Sequence, residues 1–548
     1  MNRFSLFGCF IFHIFLTVDA SSDLEVKTPF GILKGDDRGW FTAFEGIPYA
    51  EPPINERRFE PPVPFQSNWE GVRDATKPGN PCLQWSHFLL DQDDKFLGDE
   101  DCLFLNIYRP KNITNNQMVP VIFHIHGGAF VFGHGDDWGP KFITTRPMIL
   151  VNINYRLGPL GFLSTSDALI PGNMGMKDQA TAMKWVKDNI AAFGGDPNRI
   201  TITGFSAGGA SVNLHYMSDW SKDLFQNGIS HSGSALDCWV MQHNTEEKFQ
   251  TVAAIVGCSN SDRAKIVDCL KKKPAKDIVH TVKDLQPFLY NPYDPFGVVP
   301  EPMKQNGIPF ISDYPSNYMK AGKLQQKPWL ITETKDEGMY PVAEFLRRPE
   351  YLPFIDKNWN LVGPNLLHYN RTVPLDKIND VSDMIRKHYI GNDPINEKSY
   401  KRFSDISSDR LFHIGADKTV RMVGKHIPVY MYYYTFKNSY ALAEIFSGKV
   451  SELLGVSHGD DVLLVYSAEP ALHDLPEGER LMQTYLLDMY ESYTATGEPT
   501  FKGVPMMRAT DENFLVYTQI DGPNEITVKK DDNFGDHKFW DMIDFDEP

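Results

Sequence analysis

Cysteine is scarce in this chain, six among 548 residues, and none is spaced C-x-x-C or grouped with histidines at zinc-ligand intervals. That excludes a thioredoxin-like redox motif and a zinc-finger scaffold. Positive charge is short as well: 54 Lys and Arg against 71 Asp and Glu leave a formal charge of −17. Nucleic acids and anionic membranes both select a basic footprint, so no nucleic-acid partner and no membrane partner is expected. No run beyond the first twenty residues approaches the roughly 20 apolar positions that a spanning helix needs. Internal repeats, low-complexity tracts and obvious linkers are missing too, which argues against a string of separate modules.

What is present begins with "MNRFSLFGCFIFHIFLTVDA". It has a basic start, a short apolar core, and small residues Val18 and Ala20 at −3 and −1 of a cut after Ala20. That is the pattern of a secretory signal peptide. Residues 1–20 are therefore expected to be removed, and 21–548 to form a single domain that is secreted and extracellular. The tail "DMIDFDEP" has neither a lipid-anchor signal nor an ER-retention tetrapeptide. Cys9 leaves with the signal. In an oxidising compartment the near pairs Cys82–Cys102 and Cys258–Cys269 each close a short loop and are expected to bridge. Each bridge should stabilise by roughly 2–4 kcal/mol. Cys238, within the apolar "ALDCWV", is expected to be a buried free thiol. Sequons at Asn112 ("NIT") and Asn370 ("NRT") fit a secreted glycoprotein.

The N-terminal half alternates apolar runs with helical segments. "VPVIFHIHGG", "MILVNINYR" and "RITITG" read as buried strands: short, rich in Val and Ile, and ended by glycine or a turn. Between the last two, Met176, Ala180, Met183, Val186 and Ile190 recur at helical spacing until Gly194–Gly195. "PWLIT" (328–332) and "VYMYYYTF" (429–436) read as further strands, and "RLMQTYLLDMYESYTATG" (480–497) as a helix. Strand, helix, strand with right-handed crossovers predicts an α/β fold: one large, mostly parallel sheet with helices on both faces.

The chemistry centres on "TITGFSAGGAS" (201–211). Ser206 follows a predicted strand at the spacing G-x-S-x-G and opens an Ala/Gly-rich segment able to start a helix. A strand–turn–helix of this kind lifts a serine hydroxyl above the sheet edge as a nucleophile. Serine alone is a poor nucleophile; it needs a base, an orienting acid and an oxyanion hole. "HIHGGAF" (124–130) supplies backbone N–H groups at Gly128 and Ala129 which, with that of Ala207, would hold the oxyanion. His124 and His126 form an H-x-H pair with no third ligand nearby, so no metal is assigned. In the order serine, acid, histidine, the downstream carboxylates are Glu333, Asp336 and Glu337. The histidines are His458 in "GVSHGDD", His426 and His473. Spacing alone does not choose among them.

Many blocks occur together in order: "FEGIPYAEPP", "GDEDCLFLNIY", "HGGAF", "NYRLGPLGFLSTSD", "GNMGMKDQ", "FGGDPNRITITGFSAGG", "SGSALDCW", "KDEGMY" and "GVSHGDD". On these, from about residue 27 to near 540, the chain resembles a type-B carboxylesterase of the cholinesterase-like α/β-hydrolase group, the insect β-esterases in particular. The resemblance implies Ser206 as nucleophile, Glu337 as acid and His458 as base. It also supports both disulfides and makes Arg58 with Glu100, and Arg156 with Asp178, buried structural ion pairs. The implied enzyme is a serine carboxylic-ester hydrolase that works through an acyl-enzyme on a small-molecule ester, with no cofactor, as a monomer or homodimer. A juvenile-hormone or odorant esterase lies within the same class. A catalytically silent adhesion or binding homologue is the alternative outside it.

Three departures matter. The choline-stacking tryptophan of cholinesterases has no counterpart, because Trp85 lies only three residues after Cys82 in a shortened loop. Phe205 stands where many relatives carry Glu before the serine, which points to neutral rather than cationic esters. Ala129 replaces a frequent glycine but keeps its N–H, a change expected to cost little.

Overall fold

The computed structural model describes residues 24–86, 95–113, 118–302, 307–448, 454–468, 474–511 and 513–547. The signal segment, Thr114 of the first sequon, His473 and the centre of the loop after Trp85 lie outside the described residues.

One mixed sheet of eleven strands takes its elements from residue 36 to residue 531. In chain order they are β1 (Asp36–Asp37), β2 (Phe41–Pro48), β3 (Phe104–Pro110), β4 (Val119–Ile125) and β5 (Ile149–Ile153). There follow β6 (Gly195–Phe205), β7 (Asn227–His231), β8 (Trp329–Thr334), β9 (Val429–Tyr434), β10 (Leu515–Gly522) and β11 (Glu525–Asp531). Their spatial order is β11-β10-β9-β8-β7-β6-β4-β5-β3-β2-β1. From β5 to β10 neighbours run parallel. Both edges turn antiparallel, through β3, β2 and β1 on one side and β11 on the other. The α/β expectation holds: every strand read from the sequence is here, and the antiparallel margins add to it.

The central strands are buried on both faces, which is why they read as continuous Val/Ile runs. Val121, Phe123, Ile202 and Ile331 pack on one face with helix α1 (Met174–Asn189) and helix α2 (Ala207–His215). Ile122, Leu150, Ile229 and Leu330 pack on the other with helix α3 (Glu477–Thr496). The five apolar positions read from α1 and its exit are all at most 1% exposed. Burial of each Met, Val or Ile side chain among them contributes about 1.5–3 kcal/mol. The turn after α1 is taken by Gly194 at φ 85°, and α3 stops at Gly497 at φ 76°, as C-terminal glycines do. A third apolar cluster, from Met339 through Ile414 with Phe539, Trp540 and Ile543, builds a helical layer beyond the C-terminal end of β8. Sequence periodicity did not single out that layer.

Both predicted disulfides are formed, with Cα–Cα distances of 4.8 Å for Cys82–Cys102 and 5.7 Å for Cys258–Cys269. Cys238 is free, as expected, but half-buried rather than fully enclosed. Its thiol donates to the Arg410 carbonyl, and burial pushes its pKa well above the usual thiol range. The two expected ion pairs are present. Arg58 grips Glu100 with two hydrogen bonds of 2.7 and 2.6 Å. Arg156 grips Asp178 at 2.8 and 2.7 Å with both side chains at most 4% exposed.

Candidate active site

The strand order reverses at β4, which has β6 on one side and β5 on the other. Ligand sites in open α/β sheets form at the carboxyl ends of strands at such a switch point. The registers show that these ends are level: Gly204 of β6 pairs with Ile125 of β4, Phe205 with His231 of β7, and His231 with Thr332 of β8. The residues just past them therefore converge.

Ser206 is the first residue after β6 and the residue before α2. Its backbone sits at φ 60°, ψ −121°, a region that costs a non-glycine residue about 1–3 kcal/mol and persists only where its surroundings impose it. They do. The Ser206 N–H donates to the His231 carbonyl at 2.8 Å, and its own carbonyl accepts from Ala210 at 2.9 Å. A Cβ on Gly204 would meet the Gly208 carbonyl oxygen at 2.1 Å, and one on Gly208 the Ile125 carbonyl oxygen at 2.1 Å. The two glycines of G-x-S-x-G are thus required by close backbone approach between turn, strand and helix.

Facing this turn, the Gly128–Ala129 segment leaves β4. Among the described residues no protein acceptor takes the N–H of Gly128, Ala129 or Ala207, so three donors remain free where β4 and β6 end. Ala207 also opens α2, whose partial positive N-terminus favours a developing anion. Ala129 has φ 53°; its side chain rides in the left-handed region at a cost of about 1 kcal/mol relative to glycine. The substitution is therefore less neutral than its retained N–H suggests.

His126 stacks on Tyr155 at 4.3 Å, and its Nδ1 lies 2.7 Å from the Gly127 carbonyl. Burial lowers its pKa to about 3, so the ring is neutral and supports the turn. His124 bonds Thr203 Oγ1 at 2.9 Å, within a chain that continues to Tyr466. Among the described residues no cluster of three or more His, Cys, Asp or Glu is placed to hold a metal.

The structure separates the three candidate carboxylates. Glu337, in the turn after β8, is fully buried and lies with Oε2 2.5 Å from His458 Nδ1. Its Oε1 accepts from Ser232 Oγ at 2.6 Å and from the Thr334 N–H at 2.6 Å. A carboxylate on Nδ1 sets the tautomer in which Nε2 carries no proton. Asp336 instead clamps the loop that carries His458: its N–H donates to the Val456 carbonyl and its Oδ2 accepts the Val456 N–H, both at 2.9 Å. Glu333, on β8, is buried beside Glu337 and bonded to neither histidine nor loop. Of the histidines, His426 is exposed and precedes the start of β9, at the edge of the sheet opposite Ser206.

His458 is held between aromatic rings: Phe205 at 4.5 Å, Phe412 at 4.7 Å and Tyr340 at 5.1 Å. Phe205 thereby joins the Ser206 turn directly to the histidine loop. Below them runs a buried network that sequence reasoning missed. Asp461 Oδ2 accepts from Tyr432 at 2.7 Å and from Thr332 and His231 at 3.0 Å. The second Asp of "GDD" and the His and Ser of "HSGS" were the available signals, but nothing in their spacing says that they meet.

A strained serine at a switch point, free backbone donors beside it and a histidine–glutamate dyad define the site of an α/β-hydrolase. Comparison with known proteins makes the assignment specific. The model of the carboxylesterase family matches residues 22–540. Venom carboxylesterase-6 of Apis mellifera is 38% identical over 92% of this chain and 91% of its own length. Esterase-5C of Drosophila persimilis is 36% identical over 88% and 90%. The juvenile hormone esterase of Manduca sexta, solved with OTFP covalently attached, has the same fold at a TM-score of 0.81 and 23% identity, over 95% of this chain and 98% of that one. The chain belongs to the carboxylesterase family and is a carboxylic ester hydrolase.

Proposed function

We propose that the chain hydrolyses neutral carboxylic esters through a Ser206–His458–Glu337 triad and an acyl-enzyme. In this reading His458 Nε2 takes the Ser206 proton as Oγ attacks the ester carbonyl, and Glu337 stabilises the imidazolium that forms. The N–H groups of Gly128, Ala129 and Ala207 receive the oxyanion, each contributing about 2.7–4 kcal/mol to the transition state. His458 returns the proton to the leaving alcohol. A water, deprotonated by the same ring, then releases the acid. The observation that carries the reading is convergence: the strained Ser206 turn, the free donors and the 2.5 Å His458–Glu337 contact all lie at the level ends of β4, β6 and β8. Its test is turnover of a short-chain chromogenic ester by the protein beside its Ser206→Ala variant.

The aromatic wall around His458, with no carboxylate at position 205, supports neutral esters over choline esters. Juvenile hormone, named for the Manduca protein, belongs in the substrate panel on fold similarity alone. The disulfides and the N-terminal segment support secretion, and the venom protein of Apis is a relative in keeping with it. Asn112 is exposed and Asn370 half-buried, so Asn112 is the more open site for a glycan.

A further inference from the structure

Glu337 and the buried acids Asp461, Asp237 and Glu333 around it differ in what holds them. Glu337 accepts from Ser232 Oγ, Thr334 N and His458 Nδ1. Asp461 accepts from His231, Thr332 and Tyr432, and these bonds hold it below the usual carboxylate range against the opposing effect of burial. Asp237 accepts from the Ser234 N–H and Oγ, each at 2.8 Å. Glu333 accepts from nothing among the described residues: both its oxygens are buried without a donor, and its side chain is 0% exposed. Yet it lies within hydrogen-bonding reach of the Glu337 carboxyl.

Two buried carboxyl groups in contact cannot both ionise, and the charge settles on the one with more donors. Glu337 has three and Glu333 none. We propose that Glu333 is a neutral carboxylic acid whose O–H donates to the Glu337 carboxylate, making it a positioning residue that limits the negative charge Glu337 presents to His458. Burial and the charges of Glu337, Asp237 and Asp461 all push the Glu333 pKa upward, in agreement. The other titratable groups around it do not supply a counter-charge at its oxygens. Tyr433 is its register partner on β9. His413 donates toward the Thr334 carbonyl and pairs with Asp409, and His231 is committed to Asp461 and Tyr490.

The inference rests on Glu337 and His458 acting as acid and base. Removing the Glu333 donor leaves more charge on Glu337, favours the imidazolium, and moves the acid limb of kcat/KM to higher pH. In Glu333→Leu the shift is expected to be about half a pH unit or more. Glu333→Gln, which keeps a neutral donor, is expected to restore the wild-type limb. Infrared spectroscopy of the intact wild-type protein should show the carbonyl stretch of a buried carboxylic acid that is missing from Glu333→Gln. That readout needs no turnover, so it separates failure of this inference from failure of the triad itself. Three results would overturn the proposal. One is the lack of such a band. Another is an acid limb common to all three proteins. The third is a downward shift in Glu333→Gln, which would mean that Glu333 is ionised.

Discussion

Phe205 keeps only 7% of its surface exposed, with its ring against His458 at 4.5 Å and edge-on to Trp138 at 5.1 Å. A carboxylate at this position would stand one residue from Ser206, the proposed nucleophile, and attract a cationic leaving group. Phe205→Glu is therefore expected to raise kcat/KM for a choline ester relative to its neutral isostere by up to about fivefold, the scale of a partly screened charge pair. If the ratio does not change, the ring only packs. Ala129 illustrates a different residue-scale limit. Its N–H was legible in "HGGAF", but its left-handed backbone was not, because φ is set by the chain returning through Val131 and Phe132, whose N–H groups both bond the Gly128 carbonyl.

Elements explain how distant residues are brought to one place. Arg58 links both disulfide loops: it pairs with Glu100, two residues before Cys102, and its Nη1 donates to the carbonyls of Leu270 and Lys273, at the end of the helix that carries Cys269. Opening the Cys82–Cys102 bridge by paired Ser substitutions should lower unfolding stability by about 2–4 kcal/mol, measured by urea denaturation. An unchanged midpoint would mean that the Arg58 contacts alone hold the loop. The central strands were readable because they are buried on both faces and rich in β-branched residues. The margins were not: β1 and β11 expose much of their length, so neither shows a continuous apolar run. The G-x-S-x-G turn was legible because its glycines are sterically compelled. Glu333, Asp336 and Glu337 were not separable, since three nearby carboxylates on one strand exit differ only in which loop each meets. His458 approaches by a long excursion after β9, and its partner is fixed by tertiary contact with Glu337.

The whole molecule carries a pH signature from its buried imidazoles. Burial lowers the pKa of His126, His215 and His368 to about 3, and that of His124 well below its ordinary value. Each is neutral in the fold and takes up a proton only on unfolding, where histidine titrates near about 6.5. Their contribution is whole above that pH and is lost as the pH falls toward 3, by up to about 1.4 kcal/mol per pH unit for each ring. His413 acts in the opposite sense. Burial disfavours its charge, but the hydrogen bond and charge of Asp409 outweigh that and raise its pKa, so its share is lost as pH rises. Glu333, Asp237, Asp294 and Asp460 also oppose the imidazoles, because burial raises each pKa and each keeps in the fold a proton that it loses on unfolding. The imidazole share is read from His215→Gln, whose urea midpoint is expected to fall less, or rise more, than that of the wild type from pH 7 to pH 5. The same pH dependence in both proteins would show that the His215 ring does not contribute in this sense.

The most direct measurement is kcat/KM for a short-chain neutral ester, wild type beside Ser206→Ala, with near-UV circular dichroism to confirm that both are folded. With Ser206 as the nucleophile the variant loses at least about a thousandfold, the scale of removing a triad serine. A folded Ser206→Ala that hydrolyses the ester as fast as the wild type would contradict the account.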